Sequence, residues 1–105
     1  MAESDIQARI LDIVRNSFKW MAHKNKVGAD GALTGWPDLT ICVPGGTIVF
    51  MEVKKPGEVQ THTQRWVTQR LIDDGFKVYI VDNVGHAVRV LRKEYDKTQE
   101  AKSRG

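Results

Sequence analysis

The stretch PDLTICVPGGTIVFMEVK, Pro37 to Lys54, decides the fold. Residues 38–43 and 47–54 are apolar runs rich in β-branched side chains, and Pro44-Gly45-Gly46 between them is a turn, so the stretch reads as a β-hairpin. Along a strand, residues i and i+2 project from one face. Glu52 and Lys54 therefore share the face begun by Ile48 and Phe50. Asp38 opens the first strand where the second one closes, so antiparallel pairing brings Asp38, Glu52 and Lys54 to one end of the sheet. Taken alone, Glu-x-Lys reads as a solvated ion pair and Asp38 as a turn former after Pro37. The full string, with its glycine turn and apolar return strand, points instead to a site.

Outward from the hairpin, residues 4–20 read as a helix, with Ser4 and Gln7 as a capping box and Ile6, Ile10, Ile13 and Val14 as an apolar stripe. Residues 23–35 lose periodicity and read as a long loop, a place where function concentrates. After Lys55-Pro56-Gly57-Glu58, residues 61–74 form a second helix with Thr61 and Gln64 as its capping box and Gly75 as its stop. FKVYIV, residues 76–81, is a strand apolar enough to be central. Val84, Ala87, Val88, Leu91 and Tyr95 recur at helical spacing, and residues 97–105 read as a fraying polar tail. The order is helix, hairpin, helix, strand, helix. It specifies a small α/β domain over residues 1–105, with a mixed sheet and flanking helices, and the crossover helix favours parallel pairing of the last two strands.

Of 105 residues, 41% are hydrophobic and 28% charged, the composition of an ordinary soluble domain. No apolar run approaches the roughly 20 residues that span a bilayer, and MAESDIQ lacks a signal pattern. The single cysteine, Cys42, permits no internal disulfide, fits a reducing cytoplasm, and reads as a small core residue. A net charge of +3 leans toward an acidic partner such as nucleic acid, although the basic residues at both ends of the chain equally describe solvated helix faces.

Two carboxylates at the separation of Asp38 and Glu52 can share a hard divalent cation, since Mg²⁺ takes one or two carboxylates and keeps several waters. Such an ion polarises a phosphate oxygen and lowers the pKa of a water. Lys54 would orient that water or neutralise charge growing on the phosphate. His23, His62 and His86 lack ligand spacing and read as surface residues, Trp20 and Trp66 as core. Trp36 sits where it either packs on nucleic acid or caps the sheet, and Lys55 where it either touches phosphate or is solvated.

The segment GWPDLTICVPGGTIVFMEVKKPGEVQTHTQ resembles the core of the PD-(D/E)xK, restriction-endonuclease-like nucleases, and more narrowly the VRR-NUC family. Gly35-Trp36-Pro37-Asp38-Leu39, Glu52-Val53-Lys54, Gly57 and Gln64 match that family's motifs in order, and the resemblance runs over about residues 3 to 92, as of a domain standing alone. It implies that Asp38 and Glu52 bind Mg²⁺ or Mn²⁺ with the Val53 carbonyl, that Lys54 is the catalytic lysine, and that Gln64 sits nearby. A capping role explains Gln64 equally well. The family's helix-borne glutamate maps to Glu3, with Asp5 and Asp12 as alternatives. Lys24, Lys26, Trp36 and Lys55 are the nucleic-acid-binding candidates. The implied activity is a metal-dependent DNA endonuclease acting as a homodimer on branched DNA, such as a four-way (Holliday) junction, in the cytoplasm of a bacterial or phage-infected cell. A less selective nuclease or nickase, and an inactive DNA-binding module of the same fold, are the alternatives. Leu11 and Val90, outside the main apolar stripes, mark the expected dimer surface.

Overall fold

The computed structural model describes residues 2–26 and 34–104, so part of the expected 23–35 loop lies outside the described residues. The hairpin forms as expected. Strand β2 (Leu39–Val43) pairs antiparallel with β3 (Thr47–Val53) in the register Leu39↔Met51 through Val43↔Thr47. Strand β4 (Lys77–Val81) joins β3 in parallel, reached through helix α2 (His62–Asp73). A short strand ahead of the hairpin, β1 (Met21–Lys24), pairs antiparallel with β2, giving the order β1-β2-β3-β4.

Two expectations change here. The loop expected from His23 begins inside a strand, and the strand expected to be central, β4, is an edge. Strand β1 is held by backbone pairing and side-chain hydrogen bonds rather than by an apolar pattern: the Arg15 guanidinium donates to the Ala22 carbonyl at 2.8 and 3.1 Å.

Helix α1 (Glu3–Asp12) has its N-cap at Ala2, two residues ahead of the expected cap Ser4. Asp5, rather than a Ser4–Gln7 box, supplies the side chain at this end, accepting from the Ala2 N–H at 3.3 Å. The helix runs on as a π-helical turn (Ile13–Ser17) and stops before Trp20, where Lys19 adopts a left-handed φ of 64° that reverses the chain into β1. Helix α3 (Val84–Arg104) is 21 residues long and includes the segment expected to fray. Polar contacts with the hairpin turn hold it: Thr47 and Thr98 hydroxyls lie 2.6 Å apart, and Gln99 donates to the Pro44 carbonyl at 2.9 Å. Gly45 is needed there, because at its φ of 108° a Cβ would come within 2.6 Å of Thr98 Cγ2.

Residue parity sorts the core into two layers. Leu39, Ile41, Val43, Val49, Met51, Val53 and Val81 face α1 and α3 and pack on Ile10, Val14, Ala87 and Leu91. The other face carries Phe50 and Val78, covered by Val67 and Leu71 of α2 and by Trp36. Helix α2 covers only part of that face. Cys42 and Ile48 lie in one cross-strand row with Met21, and all three are exposed, so Cys42 is not the core residue its apolar neighbours imply. Trp66, expected in the core, is 64% exposed on the outer side of α2, with the Arg70 guanidinium 5.9 Å from its ring centre. Trp20 is half-buried against the first layer and stacks on Tyr95, its ring centre 5.6 Å away. Leu11 is 8% exposed within the core, so it does not offer the surface expected of a dimer contact, while Val90 is half-buried against the same core. Among the described residues no helix is long and apolar enough to cross a membrane.

Candidate active site

The site is built on the end of the sheet where β2 begins and β3 finishes. Continuing the β2–β3 register by one pair sets Asp38 opposite Glu52, on the α2 face. Asp38 is fixed from both sides. Its Oδ2 accepts from the Val53 N–H at 2.8 Å, an anionic acceptor on a strand-end donor the ladder leaves free. Its own carbonyl accepts from the Asn25 N–H at 2.8 Å, while Asn25 Nδ2 donates to the Pro37 carbonyl at 2.9 Å. The segment just past β1, absent from the expected fold, thus clamps the Pro-Asp step. Gly35 allows the approach to α2: at its φ of 83° a Cβ would lie 2.8 Å from the backbone of Thr63.

Glu52 is 1% exposed, although it is charged and at the end of a strand. Gln60 Nε2 donates to its Oε2 at 3.0 Å. Burial pushes the Glu52 carboxyl above its ordinary pKa, the Gln60 hydrogen bond and Lys54 oppose this, and the charges of Asp38 and Glu3 add to it. Asp38 is raised in the same way, first by burial and then by Glu3, against the Val53 N–H, Lys54 and Lys24. Glu3 is therefore the acid of α1 whose charge reaches the site. Asp5 is engaged with Ala2, and Asp12 accepts from Asn16 at 2.6 Å. The nearby Glu3 carboxylate also pushes the exposed Glu58 carboxyl above its ordinary pKa.

Three buried side-chain oxygens have no hydrogen-bond partner among the described residues: Glu3 Oε1, Gln7 Oε1 and Glu52 Oε1. A buried unpaired acceptor costs about 1–3 kcal/mol, and more when charged. All three are oxygens, two of them carboxylate, which is the donor chemistry of a hard divalent cation. The residues present therefore fit such an ion. No three Asp, Glu, His or Cys side chains gather into a ready-made cage among the described residues, so the fit is that of an ion that keeps much of its water.

Of the remaining expected site residues, Lys54 continues the β3 ladder through its N–H to the Val81 carbonyl at 2.9 Å, and it lines a cavity of about 260 Å³ with Lys55 and half-buried His86. Lys24, Lys26 and Trp36 line a neighbouring cavity of about 410 Å³ with His23 and Asn25. Trp36 also sets its ring edge-on to Phe50, centres 5.6 Å apart, so it caps the sheet while its flank borders that cavity. Gln64 is not brought to Glu52. Its Oε1 accepts from the Thr61 N–H at 2.8 Å and its N–H donates to Thr61 Oγ1 at 3.1 Å, the capping box read from the sequence. Gln60 and Asn25 are the site residues that sequence reasoning missed. Each is a single polar residue without periodic context, and only the threefold spacing of capping residues gave any signal nearby.

Neither family models nor curated proteins give a match to the chain. Solved structures do. A "VRR_NUC domain" is 22% identical with a TM-score of 0.72, over 86% of this chain and 94% of that one. A "VRR_NUC domain protein" is 19% identical with a TM-score of 0.73, over 93% of this chain and 90% of that one. The fold that sets Asp38 beside Glu52 and Lys54 at one sheet end is thus the fold of a VRR_NUC domain.

Proposed function

We propose that the protein is a metal-dependent DNA endonuclease, cutting phosphodiester bonds at the Asp38–Glu52–Lys54 sheet end. The observation that carries this is Glu52: a carboxylate 1% exposed, opposite a second carboxylate, with one oxygen unpaired. Two facing anions out of water are costly unless something positive joins them.

Asp38 and Glu52 would hold Mg²⁺ or Mn²⁺, with Glu3 and the Val53 carbonyl contributing. A bound ion supplies Lewis acidity toward a phosphodiester oxygen and makes a water more acidic. The chain's own residues do the rest. The Val53 N–H and Gln60 fix the two carboxylates so that little reorganisation is needed during reaction. Lys54, on the same face, places an ammonium where charge grows on the phosphate. Lys24, Lys26 and Trp36 on one side and Lys55 on the other would take the nucleic-acid backbone, as positions rather than sequence readers.

Branched DNA is the preferred substrate and a homodimer the preferred assembly, because resolving a four-way junction takes two cuts related by near two-fold symmetry and the described chain carries one such site. The test is incubation with labelled four-way, flap and linear DNA in Mg²⁺, Mn²⁺ or EDTA. Metal-dependent cuts that favour the branched forms are expected. Absence of cleavage of any DNA in either metal, by protein that remains folded, overturns the proposal.

A further inference from the structure

Gln60 is positioned by its neighbours to do what a motif comparison assigns to Gln64. It directly precedes Thr61, the residue that caps α2, so the capping box fixes its backbone. Its half-buried side chain spans from the loop to two partners: Nε2 donates to Glu52 Oε2 at 3.0 Å and to Thr68 Oγ1 at 2.9 Å. The amide can be oriented only this way, because turning it over would set its oxygen against the carboxylate. Both Nε2 hydrogens are thereby used, and Glu52 Oε2 is taken. What remains of Glu52 is Oε1, buried and unpaired.

From this geometry we infer that Gln60 is a positioning residue for the cation site, selecting which Glu52 oxygen is free to bind the ion, and that Thr68 aligns Gln60 from the second turn of α2. Gln64, one helical turn onward, is confined to the cap and acts on the site only through the stability of the helix start. The inference rests on the reading of Asp38 and Glu52 as cation ligands. Groups that orient a metal ligand from behind change metal affinity about 10–100-fold when removed.

The experiment is Mn²⁺ binding by calorimetry to the full chain, with the melting temperature in EDTA measured for each variant. Gln60→Leu is expected to weaken Mn²⁺ binding about tenfold while the melting temperature in EDTA changes little, and Gln60→Asn, which is too short to reach both partners, to weaken it as well. Thr68→Val should weaken binding less, and should add nothing in the Gln60→Leu background, since both act through one hydrogen-bond chain. Gln64→Ala should lower the melting temperature and leave Mn²⁺ affinity where it was. Wild-type binding by both Gln60 variants overturns the inference, as does a loss in Gln64→Ala equal to that in Gln60→Leu. Failure of the wild-type chain to bind Mn²⁺ removes the cation reading itself, and the inference with it.

Discussion

Replacing Glu52 by Gln should make the metal-free protein more stable while removing its response to metal. A buried charged acceptor left without a partner costs on the order of 2 kcal/mol, and Glu52 Oε1 is in that position with Asp38 opposite it. In Glu52→Gln the retained oxygen still accepts from Gln60, and the charge whose repulsion from Asp38 the fold bears is gone. Each kcal/mol moves the melting temperature of a domain this size by roughly 4–8 °C, so a rise of about 8–16 °C in EDTA is the upper expectation. Wild type should gain about 2.7 kcal/mol when metal reaches about 100 times its dissociation constant, and the variant close to none. Differential scanning fluorimetry across a Mn²⁺ series, with an EDTA arm, reads both quantities. A Glu52→Gln protein less stable than wild type in EDTA would refute the reasoning, because it would mean that the carboxylate is already satisfied in the metal-free fold.

Lys54→Ala should abolish cleavage with little loss of stability or DNA affinity, checked by cleavage and binding assays run side by side; a variant cutting at the wild-type rate sinks the catalytic role. The carboxyls of Asp38 and Glu52 both sit above their ordinary pKa, so the fold favours their protonated forms, and their contribution to stability is complete below the ordinary value and lost as pH rises through the raised ones. Metal-free melting temperatures should therefore carry a component that falls with rising pH above about 4, and saturating metal should cancel it, because the bound ion favours the ionised forms. Tyr79 is pushed up to about 12 by burial and by its 2.6 Å hydrogen bond to Glu94. That contact should hold α3 on β4 fully below about pH 10 and lose strength as pH climbs toward the raised value, and Tyr79→Phe should flatten this alkaline loss in melting curves. Gly35→Ala should cost stability and activity together, since the Asp38-bearing segment must retreat from Thr63; normal activity in that variant would contradict the close approach.

Much of this could be read from residue order alone. The period of two along β3 puts Glu52 and Lys54 on one face, antiparallel pairing brings Asp38 to the same sheet end, and the Thr61–Gln64 box forms as spaced. The crossover through α2 gave the parallel pair. What escaped has a common physical cause, which is that it depends on contacts distant in the chain. Strand β1 is four residues of mostly exposed side chains, held by its partner strand and Arg15, with no apolar alternation of its own. The end of α3 lacks an apolar stripe and is held by Thr47 and Pro44, about fifty residues earlier in the chain. Cys42 and Trp66 are apolar in local context, but how far α2 reaches over the sheet decides the exposure of Cys42, and which side of α2 meets the sheet decides that of Trp66. Gln60 belongs to no periodic pattern, whereas Gln64, four residues on, stands at the regular spacing of a capping box.

The clasp between the hairpin turn and α3 sets the phase of the strand that leads to the site. From Thr47, tied to Thr98, five steps along β3 reach Glu52. Strand phase is binary, so an odd number of added residues between Thr47 and Glu52 would invert it, sending the carboxylate into the layer of Ile10 and Leu91 and bringing Met51 or Val53 to face Asp38. Even-numbered changes would preserve the face and only translate it. The two hydroxyls at the far end of the sheet thereby act as a fiducial mark for the chemistry at the near end. Insertions on the turn side of that mark, in contrast, leave the alignment of Asp38 with Glu52 intact as long as Thr47 stays docked on α3.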